Sequence, residues 1–224
     1  MFFHQEFVSF GVLHSAVDGK QGARGKQNGT PVTVKFKWQN RFLCQCRQFR
    51  FPQFKRSLDK SRAAQIIGIT GSMLTAAGTG LAAPFAELMR RQNAAMQTVE
   101  DFSVGEGGAK GMVQGEEVRV GSLAYMHLSG VKIPDKIKEE NALYTAVSGE
   151  LAGIFPLRYR AMASVQRALA DLRHEHRKPI FAVRDFNLDP LLVQKTFGVS
   201  TEGFQFLSFA ERYRISGVPA SAGS

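Results

Sequence analysis

Beyond residue 60 the apolar positions fall first at helical and then at strand spacing. Over residues 61–74, Ala64, Ile67, Met73 and Leu74 recur one or two turns apart, which predicts a helix. Gly78-Thr79-Gly80 interrupts it, and residues 81–96, rich in Ala, Leu and Met, predict a second. The period then changes. Residues 99–104 read as a strand, and 112–121 as a hairpin with Gly115 in its turn and valines alternating beside it. A short helix is expected over 122–129 and a helical turn at Pro134-Asp135. Residues 143–147 and 151–157 predict a second hairpin about Ser148-Gly149-Glu150. An amphipathic helix over 161–174, a buried strand over 179–183 and a helix over 190–197 follow, and 217–224 read as a frayed tail.

This order implies an α+β class, an antiparallel hairpin sheet with flanking helices over 61–157. Residues 158–216 add a partial α/β segment with the local order helix, strand, helix. A single strand builds no sheet, so that strand either packs on the hairpins or takes neighbours from another chain.

Charge separates the first sixty residues from the rest. The chain of 224 residues carries +10, and residues 1–60 hold 11 Lys/Arg against 3 Asp/Glu. They also hold Trp38, Cys44, Cys46 and ten of the 23 aromatic residues, with no clear period through 36–42 or 47–56. Two readings stay open. Lys and Arg of residues 35–56 can meet phosphates while Phe36, Trp38, Phe42 or Phe49 stacks on bases, which makes a nucleic-acid-binding arm. Alternatively the segment is a disordered extension from a misplaced start, without a selected function.

Cys44 and Cys46, one residue apart, make no disulfide framework and fit reduced thiols of a cytosolic protein. The start lacks the basic, apolar and small-residue order of a signal peptide. Residues 63–86 carry no formal charge over 24 positions, long enough to span a bilayer. Their Gln, Thr, Ser, Gly and Pro content favours a helix pair with a glycine break instead, so no membrane span is expected.

Three clusters carry candidate chemistry. Gly105, Gly107, Gly108 and Gly111 permit positive φ and close backbone approach. With Lys110 beside them, their amides can receive a phosphate. A flexible loop between strands explains the same glycines. His174 and His176, two positions apart at a helix end, suit the helix C-terminus better than a metal. Asp185 ends the last strand, where α/β folds place chemistry, but Asn187, Asp189 and Pro190 beside it suit a turn.

Two segments together resemble the cytoplasmic region of P-type ATPases. Glu106-Gly107-Gly108-Ala109-Lys110-Gly111-Met112-Val113-Gln114-Gly115-Glu116-Glu117-Val118-Arg119-Val120-Gly121-Ser122 follows the family's G-x-G-V-x-G-x-V-x-G-x-x-V-x-V-G-N. Gly108, Gly111, Val113, Gly115, Val118, Val120 and Gly121 match; Glu106, Ala109 and Ser122 depart. Gly149-Glu150-Leu151-Ala152-Gly153 matches G-x-L-A-G. Of the family's T-G-D-N only Asp185 remains, and an expected acidic residue is Tyr159. The phosphorylated D-K-T-G-T and the magnesium-holding G-D-G-x-N-D occur nowhere in the sequence.

The resemblance therefore implies a detached, degenerate cytoplasmic module, nucleotide-binding over 61–157 and phosphorylation-domain-like over 158–216, without catalysis of its own. It implies ATP as ligand, at Gly107, Gly108, Lys110 and Gly111, and no bound metal. Two other expectations compete with it. One is nucleic-acid binding through residues 1–60; the other is docking on a partner polypeptide that supplies the missing domain.

Overall fold

The computed structural model describes residues 7–16, 33–40, 60–135, 137 and 139–215. Helices α1 (Lys60–Ala76) and α2 (Ala82–Gln92) come first among the closely packed elements. Strands β3 (Glu100–Gly105), β4 (Gly108–Val113) and β5 (Glu116–Gly121) follow. After helix α3 (Leu123–Leu128) come β6 (Ala142–Val147) and β7 (Glu150–Pro156). These five strands form one sheet in sequence order, each antiparallel to the next.

The turns explain that order. Gln114 and Gly115 have φ of 54° and 78°, and Ser148 and Gly149 have 49° and 81°. Each pair is a two-residue loop with both residues left-handed, whose twist matches that of the strands it joins. Both hairpins lie where the sequence predicts them.

Alternation along the strands sends side chains to two cores. Val113, Val118, Val120, Leu143 and Phe155 bury themselves with Ile67, Met73 and Leu74 of α1, Leu81 just before α2, and Phe85 and Leu88 of α2. Ala142, Tyr144, Ala146, Leu151 and Ile154 face the opposite way, with Met126 and Val131. Helix α1 is buried on nearly its whole circumference, so its hydroxyls turn inward on the backbone. Thr70 Oγ1 donates to Ile66 O at 2.7 Å, and Ser72 Oγ donates to Gly68 O at 2.8 Å. Gly68 lets α1 approach the chain after α2, because a Cβ there would lie 2.5 Å from Ala95 O. The α1–α2 break falls at Gly78, and among the described residues no helix is long and apolar enough to cross a membrane. At Pro134 a single turn forms, closed by Ile137 N donating to Pro134 O at 2.8 Å.

The second sheet has the order β10-β9-β1-β2-β8. Its strands are β1 (Phe7–Ala16), β2 (Thr33–Asn40), β8 (Tyr159–Arg160), β9 (Lys178–Phe181) and β10 (Gln205–Phe206). Helices α4 (Ala163–His174) and α5 (Pro190–Phe197) supply Val165, Leu169, Val193 and Phe197 to a separate core with Phe181 and Val183. Phe181 also stacks on Phe206, with ring centroids 4.9 Å apart. The neighbours that β9 requires thus come from β10, parallel to it, and β1, antiparallel. Residues 7–16 and 33–40 lie in the segment that the sequence reading takes as an N-terminal extension, with no clear period through 36–42. Yet Val34, Phe36 and Trp38 alternate with Lys35, Lys37 and Gln39, a strand pattern. Cys44, Cys46 and residues 41–56 of the expected nucleic-acid arm lie outside the described residues.

Helix α6 (Phe209–Ile215) closes the described chain. Ser208 and Glu211 form its capping box: Ser208 N donates to Glu211 Oε2 at 2.9 Å, and Glu211 N donates to Ser208 Oγ at 3.3 Å.

Candidate functional site

The glycine run is built into the first sheet rather than looped out of it. Gly107, with φ 76°, sits in the turn that joins β3 to β4, and Gly108, Lys110 and Gly111 lie in β4. In register Gly108 pairs with Gly105 on one side and Gly121 on the other. The Tyr125 ring of α3 lies across this three-glycine row. A Cβ on Gly108 would run into that ring, and one on Gly121 would lie 2.6 Å from it. Gly111 points to the opposite face, where a Cβ would stand 2.8 Å from Val99 and 3.4 Å from Met73 Sδ. Both glycines therefore admit a neighbour that any other residue would displace.

Ser122, at the position of the family's asparagine, caps α3 and ties it to the turn. Its N donates to Gly107 O at 2.8 Å, and its Oγ accepts from Tyr125 N at 3.3 Å. Lys110 is exposed on the Tyr125 side of the sheet and pairs across strands with Ser103 and Arg119. Arg119 is engaged by Glu117 Oε1 at 2.7 Å and by the carbonyl of Ser129. Lys110 and the hydroxyl of Ser103 thus remain accessible on one strip of the sheet.

The turn meets the segment after β9. A Cβ on Gly107 would come within 3.6 Å of Phe186 O. Glu106 sits where the family pattern has its first glycine, and its carboxylate accepts twice from α6. Phe209 N donates to Oε2 at 2.7 Å and Arg212 Nη2 to Oε1 at 3.0 Å. The Arg212 side chain is only 2% exposed. Its Nη1 also donates to Val183 O at 3.0 Å and Asp185 O at 2.9 Å, so one guanidinium fork joins three segments. Burial draws its pKa below the ordinary arginine value, and the charges of Glu106 and Asp185 oppose that. Phe209 is fully buried in the first core and tilts against Phe186 at 4.9 Å.

Asp185 stands on the far side of Arg212. Its Oδ1 accepts from Asn187 N at 2.9 Å, a turn closed two residues ahead, and from Tyr159 Oη at 3.0 Å. Burial pushes the Asp185 carboxyl above its usual range, and burial first, then the Asp185 charge, holds the Tyr159 phenol well above its own. Such a carboxyl is poorly placed to hold magnesium: it is buried, and one oxygen is committed to Asn187 and Tyr159. Asp189 caps α5, with its Oδ1 accepting from Leu192 N at 2.7 Å. His174 ends α4 and His176 follows with φ 55°. No group of three or more His, Cys, Asp or Glu converges among the described residues.

The sequence reading brought Gly107, Gly108, Lys110, Gly111 and Asp185 forward, and the structure gathers the turn and Asp185 around Arg212. Arg212, Phe209 and Tyr125 were missed. The signal for the first two was present as Ser208-Phe209-Ala210-Glu211, the S-x-x-E pattern that opens a helix.

Among solved structures the chain is similar to P-type ATPases and domains of them. The N-domain of HMA6, a copper-transporting P-type ATPase, aligns at 16% identity and TM-score 0.39, over 50% of this chain and 95% of that one. The catalytic domain of the CPx-ATPase CopB-B aligns at 14% identity and TM-score 0.43, over 70% of this chain and 55% of that one. A zinc-transporting PIB-type ATPase aligns at 16% identity and TM-score 0.37, over 71% of this chain and 25% of that one. The sequence matches no family model and no curated protein.

Proposed function

We propose that the chain is a non-catalytic cytoplasmic module of the P-type-ATPase kind that receives ATP beside its glycine turn. The observation that carries the non-catalytic half is the state of Asp185. The single acidic match to the family's phosphorylation-domain motifs is buried, and its Oδ1 is already bonded to Tyr159 and Asn187. Covalent phosphoryl transfer needs an ionised carboxylate and acidic groups holding magnesium. The buried Asp185, its Oδ1 already bonded to Tyr159 and Asn187, offers no accessible carboxylate for either role.

Support for the nucleotide half comes from the seven motif matches and from the accessible Lys110 on the strand of Gly108 and Gly111. Lys110 offers the triphosphate a point charge two residues from the end of the strand at the glycine turn.

Calorimetric titration of the full chain with Mg-ATP tests this, run beside an assay for released phosphate. Saturable binding is expected, weakened by about three- to tenfold in Lys110→Ala, the loss of one exposed charge contact. No phosphate release above the uncatalysed rate is expected. Absence of binding at millimolar ATP overturns the nucleotide half. Turnover that Asp185→Asn abolishes overturns the other.

A further inference from the structure

The first glycine of the family pattern is Glu106 here, and this carboxylate faces α6. It accepts the Phe209 amide and one arm of Arg212, while Phe209 fills the first core and Phe186 reaches Gly107. The end nearest the glycine turn is therefore covered by the chain's own helix, and covered through the residue that replaces a motif glycine. Glu106 retains a 63% exposed side chain, so the latch is open to water on one side. Helix α6 has seven residues and a solvent-exposed capping box, and it meets Glu106 within its first two turns.

From this arrangement we infer that α6 is an intramolecular cap on the glycine turn, latched by Glu106 and Arg212, and that it competes with nucleotide. The inference rests on the nucleotide reading given above. A ligand that needs the turn binds only the fraction of molecules in which α6 has lifted, and its apparent affinity falls by that fraction. Anything that loosens the latch raises the fraction without adding a contact to the ligand. Glu106 also presents a negative charge to the phosphates, and in the latched state Arg212 answers that charge. Lifting α6 removes this answer, so a triphosphate would meet the carboxylate unless nucleotide and Lys110 compensate from the other side.

Two variants of the full chain test the cap. Glu106→Gln keeps the shape of the latch and removes its charge. Glu211→Ala weakens the capping box from the solvent side without touching the turn. In each, hydrogen exchange of the Phe209–Arg212 amides reports on the helix, exchange in α1 reports on the fold, and Mg-ATP titration reports on the site. Faster exchange in α6 with α1 unchanged, together with at least fivefold tighter Mg-ATP binding in both variants, is the expected result. Faster exchange in α6 with Mg-ATP affinity equal to that of the unaltered chain overturns the cap and leaves the nucleotide reading standing. Absence of binding in the unaltered chain and in both variants overturns the nucleotide reading and the cap with it. Tighter binding in Glu106→Gln alone assigns the effect to charge repulsion at the turn and likewise overturns the cap.

Discussion

The two sheets of this chain are assembled by opposite routes. In the first, β3 to β7 follow one another along the sequence, and every neighbour is reached by a hairpin or, between β5 and β6, by the segment that carries α3. In the second, β1 and β2 come from the start of the chain and are flanked by β9 and β8 from its last third. Residues 13–16 of β1 lie against 178–181 of β9, and residues 39–40 of β2 against 159–160 of β8. Local pairing needs only a turn and an alternating pattern. Distant pairing closes a long loop, and on the late side of it α4 and α5 fix β9 and β10 through the core of Leu169, Val193 and Phe197 with Phe181 and Phe206. Arg212 and Phe209 then join the two halves, since Phe209 belongs to the first core while Arg212 grips the carbonyls that follow β9.

A pair of core truncations would break or sharpen this contrast most strongly. Phe85 is fully buried and meets Phe155 edge-on, with centroids 5.0 Å apart; Leu169 is fully buried in the second core. Phe85→Ala should cost about 3–5 kcal/mol and Leu169→Ala about 2–5. Urea unfolding followed by hydrogen exchange in both halves gives the reading. If Arg212 and Phe209 make the halves one cooperative unit, either substitution accelerates exchange throughout. Loss confined to the half that carries the substitution would show two units that unfold separately.

A smaller effect is expected at the glycine row. Gly108→Ala places a methyl in the Tyr125 ring and should cost about 1–3 kcal/mol by overpacking. In Tyr125→Ala the obstruction is gone, so most of the penalty of Gly108→Ala should vanish in a double-mutant cycle. Additive losses would mean that Gly108 is required for its backbone instead.

The smallest effect concerns acid. Burial raises the Asp185 carboxyl above 3.8, so the folded state holds its proton more tightly than the unfolded state. Its contribution is fully present below the unfolded value and is lost as pH rises through the folded one. Asp185→Asn keeps an acceptor for Asn187 N and Tyr159 but does not titrate. Chemical denaturation at a series of pH values should therefore show a stability gain on acidification in the unaltered chain that is smaller in the variant. Equal profiles would remove Asp185 from the acid response.

These regions also differ in how far the sequence discloses them. Gln114-Gly115 and Ser148-Gly149 announce their hairpins, because few residue pairs adopt two successive left-handed conformations. The break at Gly78 and the cap at Asp189 are equally local. By contrast, glycines at 107, 108 and 111 read as a loop because glycine weakens a strand taken alone. Gly107 does stay in a turn, but what lets Gly108 and Gly111 sit in a strand is Tyr125, Val99 and Met73, which arrive from elsewhere and occupy the space a side chain would fill. The grip of Arg212 on Glu106 spans 106 positions, and nothing near either residue reveals it. The two-residue β8 and β10 are too short to carry a pattern at all.

The burial of Phe209 bears on how the protein is made. A ribosome would release α1, α2 and the whole β3–β7 meander well before Phe209 leaves the tunnel, and hairpin pairing is fast enough to keep pace with translation. The nascent sheet must then persist with the Phe209 position unfilled and the Glu106 carboxylate unanswered while some fifty further residues are added. During that interval the end of the sheet near Gly107 is open, and it closes only as the last described helix arrives.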